Sequence, residues 1–111
     1  MSFAFAACQD FVGRYYHAWQ ALLDEGVDLD FVLFLGDYIY ENSYAQFPKV
    51  RAFDGAEPTD LAGYRRRHAL YKSDPDLREA HRVAPWAVTW DDHEVENDYA
   101  DLANLKALEA P

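Results

Sequence analysis

Short runs of apolar residues alternate with segments of helical spacing along this chain. The apolar runs lie at residues 3–7, 31–35 and 86–89. Short continuous runs that are rich in β-branched and aromatic side chains are typical of buried strands in parallel sheets. We therefore predict three strands. Because residues 3–7 are apolar throughout, we expect the first strand to be buried on both faces.

Four segments show the spacing of apolar residues that an amphipathic helix requires. One ends at Gly26, two begin near the N-cap candidates Thr59 and Asp74, and the last covers residues 101–110. The order strand, helix, strand favours a βαβ crossover, which makes the flanking strands parallel. The sequence therefore predicts an α/β fold built on a parallel sheet.

The composition narrows the class of protein. Of 111 residues, 50% are hydrophobic and 16% aromatic, which suits one small folded domain better than an acidic tail. A formal charge of −10 argues against binding to nucleic-acid phosphates unless cations intervene.

The sequence also excludes several structural features. Cys8 is the single cysteine, so an intramolecular disulfide is excluded. No apolar run reaches the roughly 18 residues of a membrane span. The apolar N-terminus follows no basic residue, so we interpret it as a strand and not as an export signal.

Each predicted strand runs directly into side chains that can bind a cation or transfer a proton. Cys8 follows the first strand, Asp37 and Tyr40 follow the second, and Asp92 and His93 follow the third. The carboxyl ends of neighbouring parallel strands meet at one edge of the sheet, where ligands bind. A thiolate with a phenolate suits a transition metal such as ferric iron better than calcium or magnesium. His93 could bind a second ion or give a proton to a leaving oxygen.

These residues also have purely structural interpretations. Cys8 could be a small buried hydrophobe, and Asp37 could close an Asx turn after Gly36. The polar residues 91–94 could open a helix, where the positive end of the dipole favours acids. Packing or surface roles are the simpler interpretation of Tyr38, Tyr40, His17, His68 and His81. The arginines at residues 65–67 are most simply a solvated helix face, and a role in binding phosphate is the alternative.

Four sequence blocks extend along the chain to about residue 99, at residues 5–10, 35–41, 71–77 and 89–97. The second block contains Gly36-Asp37-Tyr38-Ile39-Tyr40, which matches the G-D-x-x-Y iron-binding signature of purple acid phosphatases. In this order the blocks resemble PhoD-type alkaline phosphatases of the metallophosphoesterase superfamily. The resemblance implies a partial metallophosphoesterase-like α/β sandwich, with metal ligands at the carboxyl ends of its parallel strands.

The resemblance implies a ferric ion and calcium ions at a shared phosphoester site. Cys8 stands at the position of the family's thiolate iron ligand, and Tyr40 stands at that of its phenolate iron ligand. Asp37 matches the carboxylate that bridges iron and the second metal. Another divalent metal could replace calcium.

The block around residues 91–94 implies the rest of the site. Asp92 stands at the position of the second-site ligand, where the wider superfamily has Asn, and Asn97 is the alternative for the same role. His93 stands where the superfamily has the histidine near the leaving group. His93 is therefore the candidate catalytic residue.

The resemblance also shows what this sequence lacks. The superfamily completes its site with His and Asp ligands from later strands, and the sequence reaches Pro111 before any such motif. We also expect the leading β-domain and the export signal of the family to lie outside this sequence. We therefore expect residues 1–111 to be a fragment of a catalytic domain, with an uncovered sheet face that favours self-association. The resemblance implies a secreted or periplasmic location for the parent protein.

The expected function is metal-dependent hydrolysis of phosphoesters, of the alkaline phosphatase or phosphodiesterase type. We expect this activity of a parent enzyme and expect the isolated chain to be inactive. One alternative is a non-catalytic acidic fragment that binds a cation weakly. Another is a structural α/β domain without metal.

Overall fold

The computed structural model describes residues 1–44 and 48–99. Within these ranges the elements follow one another as β1 (Phe3–Ala6), α1 (His17–Asp24), β2 (Phe31–Leu35), α2 (Leu61–Tyr71), α3 (Pro75–Val83) and β3 (Trp86–Thr89). The α/β fold predicted from the sequence is confirmed, and the helix predicted at residues 101–110 lies outside the described residues. None of the described helices is long and apolar enough to cross a membrane.

The three strands form one parallel sheet in the order β1–β2–β3. Phe3 pairs with Phe31, and Val32 pairs with Trp86, so β2 is central. The adjacency of the three strands predicted from the sequence is confirmed. Because all three strands run in the same direction, their carboxyl ends lie at one edge of the sheet, which we call the carboxyl edge.

The two faces of the sheet are covered differently. Val32 and Phe34 point into the core that the helices form and are 1% and 0% exposed. On the opposite face, Phe3 stacks on Phe31 with ring centroids 5.1 Å apart, and Phe5 is 69% exposed. The expectation that the first strand is buried on both faces is therefore wrong. Residues of β1 alternate between exposed and half-buried, because no described element covers this open face.

Helices α2 and α3 both begin at an aspartate. The Asp60 carboxylate accepts a hydrogen bond from Gly63 N at 2.6 Å, so Asp60 is the N-cap of α2 and the prediction of Thr59 is wrong by one residue. Asp74 caps α3 as predicted and accepts from Leu77 N at 3.1 Å. Both caps satisfy amide groups that the first helical turn leaves without a partner.

Helix α2 has no apolar stripe, since its buried residues are Gly63, Arg67 and Tyr71. Tyr71 is fully buried in the core, and Arg67 is 4% exposed. The interpretation of residues 65–67 as a solvated face is therefore wrong at Arg67. Polar side chains, and not apolar packing alone, hold this helix against the rest of the molecule.

The long connection between β2 and α2 contains no described helix or strand and is anchored by Arg51. Arg51 Nη1 lies 2.5 Å from Asp74 Oδ2, and the two side chains are 12% and 3% exposed. Arg51 Nε donates to Phe11 O at 2.8 Å, and its guanidinium lies 3.8 Å from the centre of the Phe11 ring. This ion pair ties the connection to the N-terminus of α3.

Candidate metal centre

The loops after β1 and β2 are tied together by their backbones. Cys8 N donates to Gly36 O at 3.2 Å, and Gln9 N donates to Asp37 O at 3.1 Å. Cys8 and Asp37 have φ angles of 58° and 53°, in the left-handed region that residues other than glycine rarely adopt. Such residues concentrate at functional sites, where the surroundings enforce the conformation. Two neighbouring strand ends thereby direct their side chains to the same point.

Asp37 is the centre of the cluster and is 6% exposed. Its Oδ2 accepts hydrogen bonds from Cys8 Sγ at 3.4 Å and from the Tyr40 hydroxyl at 3.1 Å. Its Oδ1 is buried and has no hydrogen-bond partner among the described residues. A buried carboxylate oxygen without a donor is costly, and a cation is the partner that would best compensate it.

The two donors to Asp37 keep their protons at neutral pH when no cation is bound. Cys8 is exposed as a residue, but partial burial of its sulfur and the bond to Asp37 raise the pKa of the thiol. Burial and the charge of Asp37 raise the pKa of the Tyr40 hydroxyl. A bound cation would reverse both shifts, because it favours thiolate and phenolate. The alternative that Cys8 is a buried hydrophobe is wrong, because the residue is exposed.

The turn after β3 brings two further residues to the same place. One ligand atom from each of Asp37, Asp92 and His93 lies within 4.8 Å of the other two. A hydrogen bond from Asp98 N, at 2.5 Å, holds the pKa of the Asp92 carboxyl below its usual range. Asn97 is exposed, and its amide donates to Asp98 at 3.0 Å. The structure thus places Asp92 in the cluster and directs the Asn97 side chain elsewhere.

Glu41 orients His93. Its Oε2 lies 2.8 Å from His93 Nδ1, in a pair that is 2% and 8% exposed. Burial raises the pKa of Glu41, but hydrogen bonds from Tyr44, the backbone and His93 outweigh this effect and lower it. An ionised acceptor keeps a proton on Nδ1, so Nε2 is the nitrogen that can exchange a proton. The rings of Tyr40 and Tyr44 lie 4.3 and 4.7 Å from the imidazole.

Glu94 joins the loops after β2 and β3. Its carboxylate accepts from Tyr38 N at 2.5 Å, from Asp91 N at 2.8 Å and from Asp37 N at 3.1 Å. Residues 92–95 form a turn, so the alternative of a helix beginning here is wrong. Sequence reasoning missed the roles of Glu41 and Glu94, because neither a bond to a histidine 52 residues away nor bonds to backbone amides leave a spacing pattern. Their position directly beside motif residues was the one available signal.

The other histidines lie outside the cluster. Tyr38 is buried, and its hydroxyl lies 2.7 Å from His81 Nε2. His81 stacks on Trp86 with ring centroids 3.8 Å apart, and His68 stacks on Tyr38 at 5.9 Å. Burial lowers the pKa of both histidines. These contacts fit the packing interpretation of His68 and His81, while His17 is exposed at the start of α1.

Comparisons with known proteins agree on one family. A family model described as PhoD-like phosphatase matches residues 3–110. Alkaline phosphatase D of Bacillus subtilis (strain 168) is 50% identical over 105 residues, which are 91% of this chain and 18% of that protein. The solved structure of PhoD superposes with a TM-score of 0.82 at 48% identity, over 89% of this chain and 19% of that one. The chain thus spans about a fifth of the length of the relatives it matches.

Proposed function

Because this chain belongs to the PhoD-like phosphatase family, we propose that the loops at its carboxyl edge carry part of a metal centre that hydrolyses phosphoesters. One observation carries the proposal: a thiol and a phenol donate to Asp37 Oδ2, while the buried Oδ1 has no partner among the described residues. This donor set fits a cation. A larger catalytic domain and a secreted or periplasmic location belong to the same proposal, since both come from the family resemblance.

The chemistry of the donors divides them between two kinds of metal ion. Cys8, Tyr40 and Asp37 would hold ferric iron, since a soft sulfur with a phenolate suits a transition metal. Asp92, or Asn97 as the alternative, would join Asp37 in an oxygen-ligand site for calcium or another divalent metal. Bound there, the ions would polarise the phosphoryl group and lower the pKa of an attacking water.

His93 is the proposed proton donor to the leaving oxygen. Glu41 holds Nδ1, so Nε2 is the nitrogen that can deliver the proton. The rings of Tyr40 and Tyr44 pack near the imidazole and restrict its rotation.

A non-catalytic acidic module that binds a cation weakly is the second candidate. The observation that favours it is the small size of the cluster: three residues offer ligand atoms within 4.8 Å of one another among the described residues. Calcium takes about six to eight oxygen ligands. Metal binding without turnover is the result that this candidate predicts.

Metal retention by the 111-residue chain tests the site. The chain and its Asp37→Asn variant are incubated with ferric citrate and calcium, dialysed, and analysed for elements. We expect the substitution to remove most of the bound metal, because the amide carries no charge. Asp28→Asn makes the same chemical change at an exposed position before β2 and should retain metal as the unsubstituted chain does. Equal metal content in Asp37→Asn and Asp28→Asn would contradict the proposed metal site.

Turnover is tested in a chimera in which this chain replaces the matching 105 residues of the Bacillus subtilis relative. We expect metal-dependent hydrolysis of p-nitrophenyl phosphate. Asp37→Asn should abolish it, and His93→Ala should lower kcat about 100-fold or more. Asp28→Asn is the control and should leave kcat within about twofold.

The absorption spectrum of the same chimera tests the assignment of iron. A chimera that binds iron without a tyrosinate absorption band, or that keeps the band in Tyr40→Phe, would contradict this assignment.

A further inference from the structure

One face of α2 carries three polar side chains that bond to the loops at the carboxyl edge. Tyr64, Arg67 and Tyr71 are three and four residues apart, which places them on one face of the helix; we call them the α2 stripe. The Tyr64 hydroxyl donates to Val95 O, in the turn after β3. The Tyr71 hydroxyl accepts from Tyr40 N at 3.0 Å, in the loop after β2.

Arg67 is the centre of the α2 stripe. Its Nη1 donates to Tyr40 O and to Glu41 O, both at 2.9 Å. Its Nη2 donates to Ala56 O at 3.2 Å, and its guanidinium lies 3.6 Å from the centre of the Phe53 ring. Among the described residues no carboxylate forms an ion pair with Arg67. A buried charge without an ionic partner is costly, so its hydrogen bonds to carbonyl groups must compensate for lost hydration.

We propose that Arg67 is a positioning residue, which sets the placement of Tyr40 and Glu41 relative to each other. Tyr40 directs its hydroxyl to Asp37, and Glu41 holds His93. A single nitrogen of Arg67 binds the carbonyls of both residues, so it fixes the backbone from which the proposed phenolate ligand and the orienting carboxylate project. This inference rests on the proposed function, because Tyr40 and His93 act in the proposed metal centre.

A packing role and a positioning role for Arg67 predict different effects of Arg67→Met. Methionine fills a similar volume and can lie on Phe53, and it removes the cost of burying a charge. A packing role therefore predicts that Arg67→Met leaves the conformation of the loops at the carboxyl edge unchanged. A positioning role predicts that the carbonyls of Tyr40 and Glu41 lose their shared donor while the fold persists.

Amide hydrogen exchange in the 111-residue chain gives the first measurement. We expect Arg67→Met to accelerate exchange at Tyr40 N about tenfold, whereas the amides of β1 and β2 stay within about twofold. Arg67→Lys should restore most of the protection, because an ammonium can still donate to both carbonyls. Arg66→Met, at an exposed position, is the matched control. Uniform acceleration across the chain, or no change at Tyr40, would overturn the positioning role.

Metal affinity gives the second measurement, on the same variants. Groups that support metal ligands typically change affinity by about 10–100-fold. We expect a loss in this range in Arg67→Met, recovery in Arg67→Lys, and no change in Arg66→Met. Unchanged metal affinity in an Arg67→Met chain with loosened loops would overturn the inference.

Two further outcomes are distinguishable from this one. If the unsubstituted chain binds no metal, the proposed function fails, and the hydrogen-exchange result alone decides the role of Arg67. If Arg67→Met does not fold, Arg67→Lys carries both measurements, with a smaller change in the same direction.

Discussion

Three carboxylates at the carboxyl edge differ in function because their neighbours differ. Asp37 keeps one buried oxygen without a partner in the described part of the chain, which leaves it available to a cation. Glu41 accepts from a histidine and so determines which ring nitrogen is free to exchange a proton. Glu94 accepts from backbone amides and joins two loops. Neighbours, and not residue type, assign these roles.

Glu94→Gln should destabilise the fold without removing a proposed ligand. Both carboxylate oxygens accept from backbone amides, Oε1 from Tyr38 and Oε2 from Asp37 and Asp91. Whichever oxygen becomes the amide nitrogen, an N–H group then faces another N–H group. We expect the free energy of unfolding to fall by about 2–3 kcal/mol in urea denaturation. Glu96→Gln, at an exposed position just after the same turn, is the control, and equal midpoints for the two variants would contradict this role.

The exits of β2 and β3 approach each other closely because Gly36 has no side chain. Gly36 has a φ angle of 93°, and a Cβ built on it would lie 2.6 Å from Asp91 Cβ. The contact brings the loop that bears Asp37 beside the turn that bears Asp92 and His93. The convergence of these elements therefore depends on a glycine at this position.

Gly36→Ala should be far more damaging than Gly26→Ala. Both positions have positive φ angles, but a Cβ at Gly26 meets nothing within 4 Å. We expect a loss of about 1–2 kcal/mol at Gly26, from the left-handed conformation alone. At Gly36 the clash with backbone adds about 1–3 kcal/mol. Thermal or urea unfolding of the two variants measures the difference, and equal losses would show that the β3 turn moves aside without cost.

The helices and strands could be predicted from the sequence where the local pattern of residues determines them. The three strands and the Asp74 cap follow from apolar runs and capping chemistry, and convergence at the carboxyl edge follows from parallel pairing. The exposure of β1 and the burial of Arg67 could not be predicted, because each depends on what packs against the residue. The N-cap was misplaced by one residue because Thr59 and Asp60 are both good caps.

At the scale of the whole molecule, the open face of the sheet should make the chain associate. Phe3, Phe5 and Leu35 on this face are 49%, 69% and 45% exposed. Contiguous apolar surface of this kind favours association. We expect sedimentation velocity to show concentration-dependent oligomers of the 111-residue chain, and Phe5→Gln to reduce them. Leu61→Gln, at an equally exposed position on α2, should not. A monomeric unsubstituted chain would contradict this expectation.

The stability of the whole molecule should also depend on pH through His81. Its Nε2 lies 2.7 Å from the Tyr38 hydroxyl, and its ring stacks on Trp86. Burial, with a smaller effect of the Lys72 charge, lowers the pKa of His81 to about 4. Protonation would charge a ring packed against aromatic side chains and would remove the acceptor that faces the Tyr38 hydroxyl. The neutral form is therefore the form that the folded state favours.

The direction of the pH effect follows from proton binding. An unfolded chain takes up a proton at His81 near pH 6.5, whereas the folded chain does so near pH 4, so between these values the unfolded state binds more protons. The contribution of neutral His81 to the free energy of unfolding is complete above pH 6.5, and it is lost as the pH falls towards 4. Urea midpoints measured from pH 7 to 5 should fall more steeply for the unsubstituted chain than for His81→Gln, which cannot titrate but keeps an acceptor for Tyr38. His17→Gln, at an exposed histidine, should retain the full slope. Parallel slopes of urea midpoint against pH for the unsubstituted chain and His81→Gln would contradict this prediction. They would show that His81 has the same pKa in the folded and the unfolded state, so that its packing on Trp86 does not make stability depend on pH.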